Sequence, residues 1–178
     1  MTVASPPPRN KLDTAANIAI IIACIVVVTY FTRNMFFQPK PPPPPGMAQK
    51  GETLKALQAV LPAGSDRTLV MAVAPGCHFC DESLPFYKQL IEERNQKQSP
   101  VKVIAAVPAQ GAEETRNAEQ AKFTGAGFTP DGMVNIEFAS IKVPGTPTLM
   151  LVDKQGKVLD VWVGKLDPKG EKAVLARL

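Results

Sequence analysis

Apolar residues fall along this chain in three different patterns, and each predicts a different kind of element. From Ala15 to Phe31 the sequence reads AANIAIIIACIVVVTYF, without a charge and with only Asn17 as an interruption. A helix on the surface of a soluble domain shows a polar face every 3.6 residues, and none is visible in this run. At 1.5 Å per residue the run is about 25 Å long, close to the ~30 Å hydrocarbon thickness of a bilayer. Tyr30, Phe31, Phe36 and Phe37 stand at an interfacial position, with Arg33 just beyond the run. Residues 15–37 are therefore expected to be a single transmembrane helix preceded by a short tail, 1–14. An uncleaved anchor is preferred over a cleaved signal peptide, because no small-x-small site comes before the aromatic cluster. A lipoprotein signal ending at Cys24 fits less well, since the apolar run continues seven residues past it.

The second pattern is the short unbroken apolar run. Arg67 to Ala74 (RTLVMAVA) and Val101 to Val107 (VKVIAAV) have strand length, which predicts strands buried on both faces. The third is helical spacing. Between Asp81 and Lys97, Leu84, Tyr87, Leu90 and Ile91 line one face, while Lys88, Glu92, Glu93 and Lys97 line the other. Residues 111–122 read as an exposed helix, and 123–140 as a mixed region containing a Thr129-Pro130-Asp131-Gly132 turn. Leu149 to Asp153 and Lys157 to Val163 form a hairpin around Lys154-Gln155-Gly156. Asp167 caps a last helix opened by Pro168. Residues 53–61, with leucines at 54, 57 and 61, fit either a helix or an edge strand. Helices alternating with strands, followed by an antiparallel pair, predict a mixed sheet with helices on both faces.

Composition sharpens the division. Nine of the eighteen prolines fall in the first 45 residues, and Pro41 to Pro45 are consecutive. At ~3.1 Å per residue, seven residues of polyproline II span roughly 20 Å. Residues 38–50 are read as a stiff linker rather than a ligand for a proline-recognition domain. Residues 51–178 then form the domain. The net charge of +4 belongs mostly to the arm: four basic residues against one acidic in 1–46, sixteen against fifteen in the remainder. A nearly neutral domain has no electrostatic footprint for nucleic acid.

Cys77 and Cys80, in Pro75-Gly76-Cys77-His78-Phe79-Cys80, follow directly on a strand and open a helix. Unpaired N–H groups and the helix dipole favour a thiolate there. Cys77 would attack a substrate disulfide, and Cys80, one turn on, would resolve the mixed disulfide. His78, the single histidine, would favour the thiolate if protonated; otherwise it is an exposed loop side chain. A zinc site needs four ligands, and haem attachment needs histidine where Asp81 stands. Nothing calls for a metal or a small-molecule cofactor. The three cysteines supply no structural disulfide framework. A dithiol site is typical of oxidising compartments, which places the domain on the periplasmic or extracytoplasmic side. The flanking charges do not fix the orientation.

Val143-Pro144-Gly145-Thr146-Pro147-Thr148, ahead of a strand, resembles the cis-proline loop of the thioredoxin superfamily. Pro85 and Gly164 match the family's helix-kinking proline and the glycine near its site. The resemblance covers about residues 67–178 and implies a thioredoxin-like three-layer fold. It also implies that Pro147 is the cis proline, with Thr146 and Pro147 contacting the substrate. Seventy residues separate Cys77 from Pro147. This surplus, at about 108–140, together with the anchor, resembles the membrane-tethered TlpA/ResA-type thiol-disulfide oxidoreductases of the bacterial cytoplasmic membrane. Their partners are protein thiols and disulfides in exported proteins, and an electron donor that the sequence does not identify. Where thioredoxin has a buried carboxylate, this chain has Met71; where it has a tryptophan, Ala74-Pro75-Gly76. The direction of electron flow therefore stays open, with a DsbA-like oxidase or isomerase as the alternative. A non-catalytic copper module using Cys77, Cys80 and Met71 or Met150 is a further one. A peroxiredoxin would need threonine where Ala74 stands.

Overall fold

A computed structural model of the protein describes residues 11–36 and 46–178. Most of the expected tail and of the proline-rich linker lies outside these residues. The N-terminal helix and the C-terminal domain are separate units.

Helix α1 (Lys11–Phe36) extends past the apolar run at both ends. Residues 15–33 are all exposed, and Ala15–Arg33 is long and apolar enough to cross a membrane. Two of its hydroxyls are satisfied within the helix. Thr29 and Thr32 donate to the Ile25 and Val28 carbonyls at 2.7 Å, so neither brings an unpaired donor to an apolar surrounding.

The domain is built on strands β1 (Arg67–Ala72), β2 (Lys102–Pro108), β3 (Gly132–Ile136), β4 (Thr148–Asp153) and β5 (Val158–Val163). They form one sheet in the order β3-β2-β1-β4-β5. β1 pairs parallel with β2, and β2 with β3, whereas the β1–β4 and β4–β5 pairs are antiparallel. β1 is central and contacts core on both sides, which is why its sequence shows no alternation. Leu69 and Met71 belong to one apolar cluster, Val70 and Ala72 to the other.

The first cluster is covered by α3 (His78–Glu82), α4 (Leu84–Gln96), α5 (Ala112–Gly125) and α6 (Pro168–Leu175), through Cys80, Tyr87, Leu90, Phe123 and Val174. Among the described residues, the second is covered by the four-residue helix α2 (Lys55–Gln58) and the residues flanking it, a 3-10 turn at Phe138–Ile141 with Val143 after it, and the segment around Ala48. A fully buried leucine such as Leu57 is worth about 1.5–3 kcal/mol of transfer free energy, so even this thin layer contributes. The three-layer mixed α/β architecture is as expected from the sequence.

Three local expectations are corrected. The helix expected over 81–97 begins at His78 and breaks at Ser83, so that α3 and α4 are separate. Pro85, near the start of α4, has no N–H to continue the ladder. Ser83 N–H instead donates to the Cys80 carbonyl at 3.1 Å.

The mixed region 123–140 contains an edge strand, β3, joined to β2 through α5. Its tight turn lies at Ala126–Gly127, with φ +81° at Gly127, rather than at Thr129–Gly132. Asp131 ties strand to helix instead of closing a turn. Its carboxylate accepts from Val103 N–H at 2.7 Å and from the buried Arg94. Residues 53–58 supply both alternatives read from sequence, an isolated bridge Thr53–Lys157 and then α2.

The hairpin and final helix are as expected. Gly156 has φ +74°, and a Cβ there would come within 2.8 Å of the Leu54 carbonyl oxygen. Asp167 caps α6 by accepting from Gly170 N–H at 2.7 Å.

Candidate active site

Three loops meet at one end of the sheet because of strand register. Ala72, the last residue of β1, lies opposite Thr148, the first of β4, and Thr148 lies opposite Val163, the last of β5. The chain leaving β1 enters the CxxC, the chain entering β4 comes from the Thr146–Pro147 loop, and the chain leaving β5 passes through Gly164. The Thr146–Pro147 peptide bond is cis, and Pro147 is buried. Gly164 N–H donates to the Pro147 carbonyl at 2.7 Å, with φ +81° at the glycine. Register thus places the CxxC, the Thr146–Pro147 loop and Gly164 at one end of the sheet.

Cys77 is the N-cap of α3, in extended conformation. Its Sγ accepts from Cys80 N–H at 3.2 Å, and its carbonyl accepts from Cys80 and Asp81 N–H at 3.0 and 3.1 Å. One donor at the helix start, the Cys80 N–H, reaches the sulfur, an arrangement that favours a thiolate. Cys77 and Cys80 are joined in a disulfide with Cα atoms 5.2 Å apart. The two sulfurs differ in access: Cys77 is half-buried, whereas Cys80 is 2% exposed and part of the core. Only Cys77 is open to a large substrate.

Two sets of charges flank α3, and neither was legible in the sequence. On one side the imidazole Nε2 of His78, 77% exposed, lies 3.2 Å from Glu82, and Glu82 also accepts from Lys165 of the β5–α6 loop at 3.0 Å. The Lys165 hydrogen bond, aided by His78, holds the Glu82 carboxyl below its usual range. On the other side Lys122 of α5 donates to Asp81 at 2.8 Å and pairs with Glu119 at 2.9 Å. Glu119 is 1% exposed. Burial works against the Lys122 ammonium, but its hydrogen bond to Asp81 and its ion pair with Glu119 prevail and raise it above its usual value.

The helix at 111–122 read as exposed, so Glu119 carried no signal of burial. Its spacing of four from Phe123, the other buried side chain of α5, was the one available hint. Met71, where thioredoxin has a carboxylate, is fully buried in the cluster that also holds Cys80. Met150 lies in the cluster on the opposite sheet face, so it cannot join the two cysteines around a copper ion.

This fold, with a CxxC at a helix start and a cis-proline loop at the same sheet end, defines a thioredoxin-type thiol-disulfide oxidoreductase. The chain belongs to the thioredoxin-like domain family, whose model matches residues 54–178. Among solved structures it is similar to StoA from Bacillus subtilis, at 15% identity and a TM-score of 0.50, over 64% of this chain and 84% of that one. It is also similar to a protein assigned as the thiol:disulfide interchange protein DsbE from Chlorobium tepidum, at 20% identity and 0.50, over 64% and 77%. A protein assigned as a disulfide isomerase from Bacteroides thetaiotaomicron matches at 16% identity and 0.53, over 73% and 88%. At these identities the likeness is one of fold. No curated protein matched the chain in sequence.

Proposed function

We propose that residues 51–178 reduce or exchange disulfides in exported proteins at a membrane surface. Residues 15–37 anchor the domain in the bacterial cytoplasmic membrane, and 38–50 space it from the extracytoplasmic face. The carrying observation is the asymmetry of the cysteine pair, one sulfur accessible and fed by a helix-start donor, the other buried behind it.

In the reduced pair, Cys77 thiolate attacks a substrate disulfide. A Cys77–substrate bond forms and one substrate thiolate leaves. Cys80, losing its proton, then attacks Cys77 Sγ, closing the intramolecular disulfide and releasing the second substrate thiol. The Cys80 N–H at the start of α3 favours the attacking thiolate, and His78 modulates it within its pair with Glu82. The backbone of Thr146 and Pro147 offers the substrate segment an extended partner.

Residues 47–178 are expected to catalyse insulin-disulfide reduction by dithiothreitol, and Cys80→Ala is expected to trap mixed disulfides through Cys77. If neither occurs, the catalytic reading is wrong. The oxidase reading rests on the same residues and differs in potential. A value near about −270 mV supports a reductase and one near about −120 mV an oxidase. Protease accessibility of the domain in sealed membranes reads the side on which it lies.

A further inference from the structure

We infer that Lys122, clamped between the buried Glu119 and Asp81, is a positioning residue that sets the redox equilibrium of the Cys77–Cys80 pair. The inference rests on the disulfide-exchange reading of those cysteines and goes beyond it, because it assigns a role to groups on a different helix.

The geometry is specific. Glu119 is the only buried carboxylate among the described residues, and its Oε1 has no hydrogen-bond partner of good angle. Its compensation is the Lys122 ammonium at 2.9 Å. Such a group is costly to hold inside a fold unless paired. Lys122, 28% exposed, reaches from Glu119 to Asp81, whose side chain is half exposed and which follows Cys80 directly. The buried carboxylate is thereby linked through Lys122 to Asp81, the residue that follows the resolving cysteine.

The triad carries a net charge of −1. The other charges facing α3 are Glu82, His78 and Lys165 on the opposite flank, and Lys88 of α4, whose ammonium lies against Gly127 after α5. Glu82 and Lys165 cancel within their own pair and Lys88 lies against Gly127, so the charge next to Cys80 is the one the triad holds. Negative charge beside the pair disfavours the thiolate of the reduced form and leaves the disulfide untouched. It thereby favours donation of electrons: the two thiols give two electrons and two protons to an oxidised partner, and the internal disulfide closes.

The two inner members must then act with opposite sign. Glu119→Gln removes a negative charge, stabilises the reduced form and makes the pair more oxidising. Lys122→Met removes the positive charge and makes it more reducing. Mere loosening of the α3–α5 contact shifts both variants the same way.

The experiment equilibrates the detergent-solubilised full chain with glutathione redox buffers and reads the fraction of reduced pair by thiol alkylation and mass. Each variant is expected to shift the equilibrium constant about threefold, or ~14 mV at 29.6 mV per decade, the size expected of one partly screened charge at this range. Lys122→Arg is expected to restore the wild-type value. Asp81→Asn, at an exposed position that keeps the fold, is expected to move with Glu119→Gln and serves if the buried variant does not fold. Shifts of one common sign, or none in Asp81→Asn and Lys122→Met, overturn the inference. The equilibrium is readable whether or not the wild type reduces insulin, so loss of the catalytic reading and loss of this inference are separate results.

Discussion

The two flanks of α3 share one contact, a carboxylate with a lysine, and differ in burial and in the third group, His78 on one side and Glu119 on the other. Each pairs a carboxylate of α3 with a lysine from another element, Asp81 with Lys122 and Glu82 with Lys165. The Glu82 flank ends in solvent at His78 and Lys165, and such exposed pairs contribute little to stability because water and salt screen them. The Asp81 flank ends inside the protein at Glu119, where losing the partner charge leaves a desolvated carboxylate. Chemically identical contacts therefore differ in consequence, and the third member of each network decides which matters.

The largest expected effect comes from breaking the buried flank. Lys122→Ala strands Glu119, which is 1% exposed, and is expected to cost about 2–3 kcal/mol in urea unfolding of residues 47–178. A result indistinguishable from wild type would show that Glu119 finds another partner. A comparison away from the site sharpens the point: Arg94→Met strands Asp131, but Asp131 still accepts from Val103 N–H and is more exposed than Glu119. Its cost is expected to be smaller, about 1–2 kcal/mol.

The pH dependence separates the flanks by sign. Lys122 is raised in the folded state by Asp81 and Glu119, against the opposing effect of burial. Its contribution is fully present below the ordinary lysine value of 10.5 and is lost as pH rises beyond it. Glu82 is lowered by Lys165, so its contribution is present above the ordinary value of 4.5 and is lost as pH falls below it. Chemical denaturation across pH should therefore show Lys122→Met flattening the alkaline decline and Glu82→Gln flattening the acid one. The reverse assignment would sink the comparison. The smallest effect is expected from Glu82→Gln in acid, below the ordinary carboxyl value, where the contribution is already lost and the unfolding midpoint should stay within error of wild type. For both flanks, raising salt to about 1 M, where the Debye length is ~3 Å, should diminish the pH effect more for Glu82 than for Lys122.

Much of this molecule is readable from local pattern. β1 and β2 show as unbroken apolar runs because both their faces meet core, α6 shows through its Asp167 cap, and the hairpin through Gly156. The redox pair is legible because two cysteines at this spacing after a strand have few other uses. β3 was not legible: most of its residues are only half-buried, and its identity comes from pairing with β2 rather than from its own composition. Thr129–Gly132 misled for a related reason, since Asp131 has the chemistry of a turn residue but directs it to Val103 and Arg94.

The sequence alone determined the elements whose cause is local: the apolar helix that precedes the domain, the central strands, the caps, and the presence of a Cys77–Cys80 site with a Thr146–Pro147 loop. Only the tertiary structure decided which charges attend that site. Asp81 and Glu119 are separated by 38 residues, and no periodicity links them. What joins them is the packing of α5 beside α3, which buries one carboxylate, leaves the other in solvent, and sets a single lysine between them. Electrostatic partners follow distance in space, and distance in space is a property of the fold.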